Sequence, residues 1–144
     1  MLACDDPGMA QLPDDVRTLF EGPNYAHLAT VLPDGSPHSV PVWIGLEDDR
    51  IAFFTGEHTR KARNLAADPR AAISIVAHDN PYRMASVRGR LADVVRGDAA
   101  MEIVDRIAHR YTGRPFPMRD MTIYLIEPER STSMSLPFEH TPPS

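Results

Sequence analysis

The chain has 144 residues, a mass of 16.0 kDa and a formal charge of −5, with 42% hydrophobic and 24% charged residues, which suits one soluble globular domain and leaves little room for a second. The acidic balance argues against general nucleic-acid binding, which wants a basic surface, so any anion site is a local exception and its ligand is small. No apolar run approaches the ~18 residues of a membrane span, and a single cysteine, Cys4, excludes an internal disulfide framework and a cysteine metal cluster.

Residues 1–12 read as a mobile N-terminal segment. The lone Cys4 fits a reducing cytoplasm, and Asp5, Asp6 and Pro7 stand where a signal peptide has a basic region and an apolar core. Pro13 to Phe20 predicts a short helix: proline is tolerated in its first turn, Asp14 and Asp15 favour its N-terminus, and Gly22-Pro23 stops it. Val16, Leu19 and Phe20 then face the core. Tyr25 to Leu32 and Pro37 to Leu46 read as two strands of a hairpin around Pro33-Asp34-Gly35-Ser36. A two-residue loop at Asp34-Gly35 sets Ala29 opposite Val40 and His27 opposite Val42, with Leu28, Pro41 and Trp43 on the other face. Arg50 to Thr55 is the third strand, and a helix runs from Thr59 to near Asp68-Pro69, where the proline disfavours helical geometry before it.

Ala71 to Ala77 reads as a buried strand, and Arg83 to Val95 as a long strand that bends at Gly89. Gly97-Asp98 opens a helix with Met101, Val104, Ile107, Ala108 and Tyr111 at helical spacing and Gly113 as its stop. Met121 to Ile126 is a sixth strand closed by Pro128, and 131–144 reads as an irregular tail. Six short strands in mostly hairpin order with small helices inserted predict a mainly β fold over 13–130, a six-stranded antiparallel barrel closed to remove its edges. Such a barrel fills its interior with side chains, so a ligand lies outside it, against a neighbouring element or another subunit.

Thr55 to Leu65 is the stretch with the most chemistry. It joins an apolar strand to a helix opened by Thr59 and three cations, Arg60, Lys61 and Arg63, and Lys61 is the only lysine in the chain. A capping Thr59 hydroxyl, unpaired first-turn amides and the helix dipole would together hold a phosphate. An ordinary solvated amphipathic helix accounts for the same residues, and the stretch alone leaves both readings open.

The chain resembles the pyridoxamine 5′-phosphate oxidase-like split-barrel flavoproteins, and most closely their actinobacterial branch that uses the deazaflavin coenzyme F420. The resemblance rests on Ala29-Thr30-Val31 followed by Asp34-Gly35-Ser36-Pro37 and Val40-Pro41-Val42-Trp43. Lys61-Ala62-Arg63-Asn64-Leu65 with Asp68-Pro69-Arg70, Val87-Arg88-Gly89-Arg90 and Arg110-Tyr111-Thr112-Gly113 complete it. It implies a homodimer of split barrels with two cofactors in grooves between subunits. Thr55, Thr59, Arg60, Lys61 and Asn64 match the phosphate-binding region of that family. Val40 to Ile44, with Val42 and Trp43, matches the strand along the isoalloxazine-type ring. The arginine and lysine of the B6 oxidases are missing from Ser39 to Ile44, and so are the tryptophan and paired arginines of their C-terminal signature. The pattern therefore points away from vitamin B6 oxidation.

What the resemblance implies is an F420H2-dependent reductase of an unsaturated or conjugated small molecule. An FMN-binding oxidoreductase and a non-catalytic deazaflavin, flavin or haem carrier are the alternatives. The cofactor carries the reactivity in such chemistry, so the lack of a catalytic triad is no objection and no catalytic residue is assigned. Trp43 is a candidate for ring stacking, although a lone strand tryptophan is more often a core or dimer contact. The six histidines lack metal-ligand spacing, and no metal is expected. His27, His58 or ordered water is left as the proton source. For Tyr111 an apolar helix face is the plainer reading, and an approach to the partner's site the family-based one.

Overall fold

The computed structural model describes residues 11–143; Cys4 and the rest of the N-terminal segment over 1–10 lie outside them. The elements follow in the order α1 (Asp14–Glu21), β1 (Ala26–Val31), β2 (Pro37–Val42), β3 (Gly45–Glu47), β4 (Arg50–Thr55), α2 (Arg60–Ala67), β5 (Arg70–Ala77), β6 (Asn80–Val95), α3 (Gly97–Thr112) and β7 (Thr122–Ser135). All strand pairings are antiparallel, in the order β2-β1-β5-β6-β7-β4-β3. The fold is mainly β and of the split-barrel kind.

Four expectations need correction. The sheet has seven strands and does not close, because the predicted second strand breaks at Trp43-Ile44. There the indole leaves the sheet to stack on Tyr111, and the Ile44 N–H donates to the Tyr111 hydroxyl instead of to a neighbouring strand. The hairpin register differs by one residue: Leu28 pairs with Val40 and Ala29 with Ser39. Leu32 N–H bonds the Ser36 carbonyl and Gly35 stands at φ 88°, so the loop holds three residues, Pro33-Asp34-Gly35, with glycine in the left-handed position. Leu28 consequently shares the buried face with Val42 rather than with Pro41 and Trp43.

The last two corrections concern the ends of the domain. Leu12, assigned to the mobile segment, is 5% exposed and joins the core. β7 does not stop at Pro128 but runs on to Ser135, so 131–135 belongs to the sheet rather than to a tail. Pro128 is tolerated because it stands opposite Gly89, where the β6–β7 register shifts and no ladder N–H is required. A β-carbon on Gly89 would fall 2.1 Å from the Glu127 carbonyl oxygen, which makes glycine obligatory at the predicted bend.

Two apolar layers share the β4–β7 ribbon. Ile51, Phe53, Tyr124 and Ile126 face the barrel interior with Phe20, Leu28, Ile73 and Val87. Ala52, Ile123 and Leu125 face outward, where Ala100, Met101, Val104 and Ile107 of α3 cover them. Burial on both faces explains why these strands read as continuous hydrophobic runs rather than alternating ones. The second layer continues into Trp43, Phe54, Tyr111, Phe116 and Met121, which places an aromatic edge beside the break between β2 and β3.

Candidate functional site

A cleft of roughly 470 Å³ opens beside that break. Tyr25 before β1, Pro41 and Val42 at the end of β2, Trp43, Phe54 and Thr55 at the end of β4, Lys61 in the first turn of α2, and Phe116 and Met121 before β7 line it. Most of these side chains are aromatic or aliphatic; Lys61 and Thr55 bring the charge and the buried hydroxyl.

The polar part is built by the turn from β4 into α2. The Thr59 hydroxyl donates to the Gly56 carbonyl at 3.0 Å instead of capping α2, so the expected side-chain cap is not made. Thr59 has one hydroxyl proton, so in its 3.0 Å contact with Thr55 it is the Thr55 hydroxyl that donates. With both hydroxyl protons committed, the donors for an anion are Lys61 and the first-turn amides. The first α2 amide with a helical acceptor is Arg63, bonded to the Thr59 carbonyl, which leaves those of Arg60, Lys61 and Ala62 at the open end of the helix dipole. Burial pushes the Lys61 ammonium below its ordinary range, since a charge leaving water for an apolar wall is disfavoured. An arriving anion would reverse that penalty.

Of the residues expected at a cofactor, Val42, Trp43, Thr55 and Lys61 line the cleft. Thr59 supports it through Thr55. Asn64 is 1% exposed: its amide nitrogen donates to the Thr30 hydroxyl at 3.0 Å, and its oxygen accepts from Arg60 Nε at 2.9 Å. It ties α2 to β1 and orients Arg60, whose terminal nitrogens stay available as donors. Arg63 is exposed on the far side of its turn, and His27 and His58 are exposed and outside the cleft lining.

Trp43 packs in the second apolar layer and also lines the cleft. Tyr111 stacks on the indole with centroids 5.1 Å apart and planes 6° apart, while Phe54 and Phe116 meet it edge-on. The Tyr111 hydroxyl accepts from Ile44 N–H at 3.1 Å and donates to the Asn24 carbonyl, fastening α3 to the chain on either side of the β1–β2 hairpin. Burial raises the Tyr111 phenol, so it stays protonated and structural. Sequence reasoning missed Tyr25, Phe54, Phe116 and Met121 as lining residues, and it reached Pro41 only as part of the Val40 to Ile44 strand. For Phe54 the signal was available, since it precedes Thr55 and alternates outward from Phe53; Phe116 lies in an irregular stretch that gives no periodicity. Among the described residues no three His, Cys, Asp or Glu side chains are grouped to hold a metal ion.

Residues 12–134 match the family described as pyridoxamine 5′-phosphate oxidase. A curated relative, the pyridoxine/pyridoxamine 5′-phosphate oxidase of Azorhizobium caulinodans, is 36% identical over 89 residues, which are 61% of this chain and 42% of that enzyme. The chain thus matches less than half the length of that relative. Among solved structures, one titled F420 reductase superposes with a TM-score of 0.74 at 33% identity, covering 84% of this chain and 98% of the other. A pyridoxamine 5′-phosphate oxidase-related, FMN-binding protein of Nostoc punctiforme superposes with a TM-score of 0.61 at 18% identity, covering 81% of this chain and 76% of the other, and so shares the fold.

Proposed function

Because the chain belongs to the pyridoxamine 5′-phosphate oxidase family of flavin-binding, split-barrel oxidoreductases, we propose that it is a reductase that uses coenzyme F420. It transfers a hydride from reduced F420 to an unsaturated or conjugated small molecule. The observation that carries this reading is that one cleft of roughly 470 Å³ unites Lys61 at the start of α2 with the aromatic wall of Trp43, Phe54 and Phe116. The 33% identity to the F420 reductase supports the deazaflavin over the flavin.

The residues present fit that group. Lys61 and the first-turn amides of α2 would take a phosphate oxygen, and Arg60, aligned by Asn64, meets further negative charge. Val42 and Trp43 would border the ring. When bound, the coenzyme supplies the hydride; the chain supplies position and dryness. Trp43, Phe54 and Phe116 exclude water from the ring, which strengthens the electrostatics of the polar end and shields the reduced ring from side reactions. None of the lining side chains is an obligatory acid or base, in keeping with a reaction governed by orientation. The working unit is a homodimer whose second subunit walls the groove, and its compartment is the cytoplasm. FMN is the second reading, favoured by the FMN-binding relative of the same fold.

Steady-state oxidation of F420H2 with a panel of quinones, enones and other conjugated acceptors tests the reading. Turnover with at least one acceptor is expected. Tight F420 binding without turnover on any acceptor makes the protein a carrier and overturns the reductase. Light scattering should give about twice the 16.0 kDa chain mass, and a monomer would contradict the two-subunit groove.

A further inference from the structure

Phe116 reaches the cleft from residues 113–121, which lack helix and strand. Its neighbours are Pro115 and Pro117. Neither has an N–H, so within that tripeptide the Phe116 amide is the single backbone donor, and both Arg114 and Phe116 are held extended by the proline that follows. Such a segment is stiff but has little to anchor it.

One carboxylate on α3 supplies the anchor. Asp105 Oδ1 accepts from the Phe116 N–H at 3.1 Å and from Arg119 Nη1 at 2.8 Å, and Oδ2 accepts from Arg119 Nη2 at 2.9 Å. Arg119 Nη1 also donates to the Phe116 carbonyl at 2.9 Å. Both backbone polar groups of Phe116 are thereby closed into a ring with one bidentate ion pair. The pairing with Arg119, and then the Phe116 amide, hold the Asp105 carboxyl below its ordinary range. With side chains 31% and 56% exposed, the pair adds little to stability; a two-pronged fork fixes orientation instead. What it orients is the Phe116 ring, edge-on to Trp43 at 6.1 Å and to Phe54 at 4.9 Å, both residues of the cleft wall.

We infer that Asp105 is a positioning residue: by accepting from the Phe116 N–H and by pairing with the Arg119 that holds the Phe116 carbonyl, it fixes where Phe116 stands over the cleft, and so sets the width of the aromatic slot and the thickness of ring it admits. The inference rests on the reading of that slot as the ring-binding part of the site. The position of the clamp can nevertheless be measured without any ligand, because Trp43 is the only tryptophan.

In Asp105→Ala, acrylamide quenching of Trp43 should rise about twofold, with the far-ultraviolet spectrum unchanged, since alanine is a strong helix former at a helix surface. The F420 dissociation constant should rise about fivefold. Phe116→Leu should raise it as much, and the double variant no further, because groups that act through one another are non-additive. Arg119→Gln, on a half-exposed side chain outside the core, repeats the measurement should Asp105→Ala fail to fold, and Asp105→Glu should restore part of the shielding. Unchanged quenching in Asp105→Ala, or in Arg119→Gln where Asp105→Ala does not fold, or additive losses in the double variant, would overturn the inference. If the unaltered protein binds neither F420 nor FMN, the proposed function falls, while Trp43 quenching still decides whether the clamp holds Phe116.

Discussion

The start of α2 and the stretch before β7 both deliver residues to one cleft, by opposite means. Lys61 and Thr55 arrive on regular elements whose local sequence dictates their course: an apolar strand, a turn at Gly56, and a helix fastened to β1 by Asn64. Phe116 arrives on an irregular segment placed by its own hydrogen bond to Asp105, eleven positions earlier, and by the ion pair of that carboxylate with Arg119. The first region is an anchor built from local sequence, and the second a wall whose place is set by a distant side-chain pair. A family can keep the anchor and vary the wall.

The comparison breaks first at Lys61. Lys61→Ala removes a half-buried cation and its charge-assisted contacts, worth about 1.5–3 kcal/mol, so the F420 dissociation constant should rise about 10- to 150-fold by fluorescence titration. An unchanged constant would return α2 to solvated surface. Next in size is Tyr111→Phe, which leaves the Ile44 N–H and the Asn24 carbonyl without their partner and should cost about 1–3 kcal/mol of stability. Chemical denaturation measures that loss, and no loss would mean that the Trp43 backing is held by packing alone.

A smaller effect follows from the depressed Lys61. Its charged form is disfavoured by burial, so the empty protein should gain stability as pH rises through the folded-state value toward the ordinary lysine range. Anion affinity has the opposite sign, full while the ammonium is charged and falling over the same window. Titrations at neutral and alkaline pH should show that fall, and Lys61→Arg should abolish it, because a guanidinium stays charged. Smallest should be Asn64→Ala, about two- to threefold in F420 affinity through a freed Arg60, accompanied by about 1–2 kcal/mol of destabilisation from the unpaired Thr30 hydroxyl.

The same contrast explains what could be read in the sequence. α1, α2 and α3 were legible to within a residue or two because prolines, the glycine stop at Gly113 and helical spacing are local signals, and the bend at Gly89 announced itself by composition. The β1–β2 register failed because Pro33-Asp34-Gly35-Ser36 permits loops of two or three residues, and the choice depends on where Leu28 and Val40 find a core. The break at Trp43-Ile44 was hidden because its cause, the Tyr111 side chain, lies on a helix formed much later in the chain. β7 was cut short at Pro128 by a rule sound for central strands but relaxed opposite a glycine bulge. At the site, Val42, Trp43, Thr55 and Lys61 came from the resemblance to the split-barrel family, whereas Phe116 is placed by the Asp105–Arg119 pair, which no sequence period encodes, and Met121 lies in the same irregular stretch.

The central claim is that an anchored anion and an enclosed ring belong to one deazaflavin site. Parallel fluorescence titrations of the purified protein with F420 and with FMN test it most directly, following Trp43 and the cofactor together. The account predicts saturable binding of F420 at micromolar or lower concentration, with Trp43 emission changing in step and FMN binding more weakly. Preferential FMN binding with no response to F420 would contradict it.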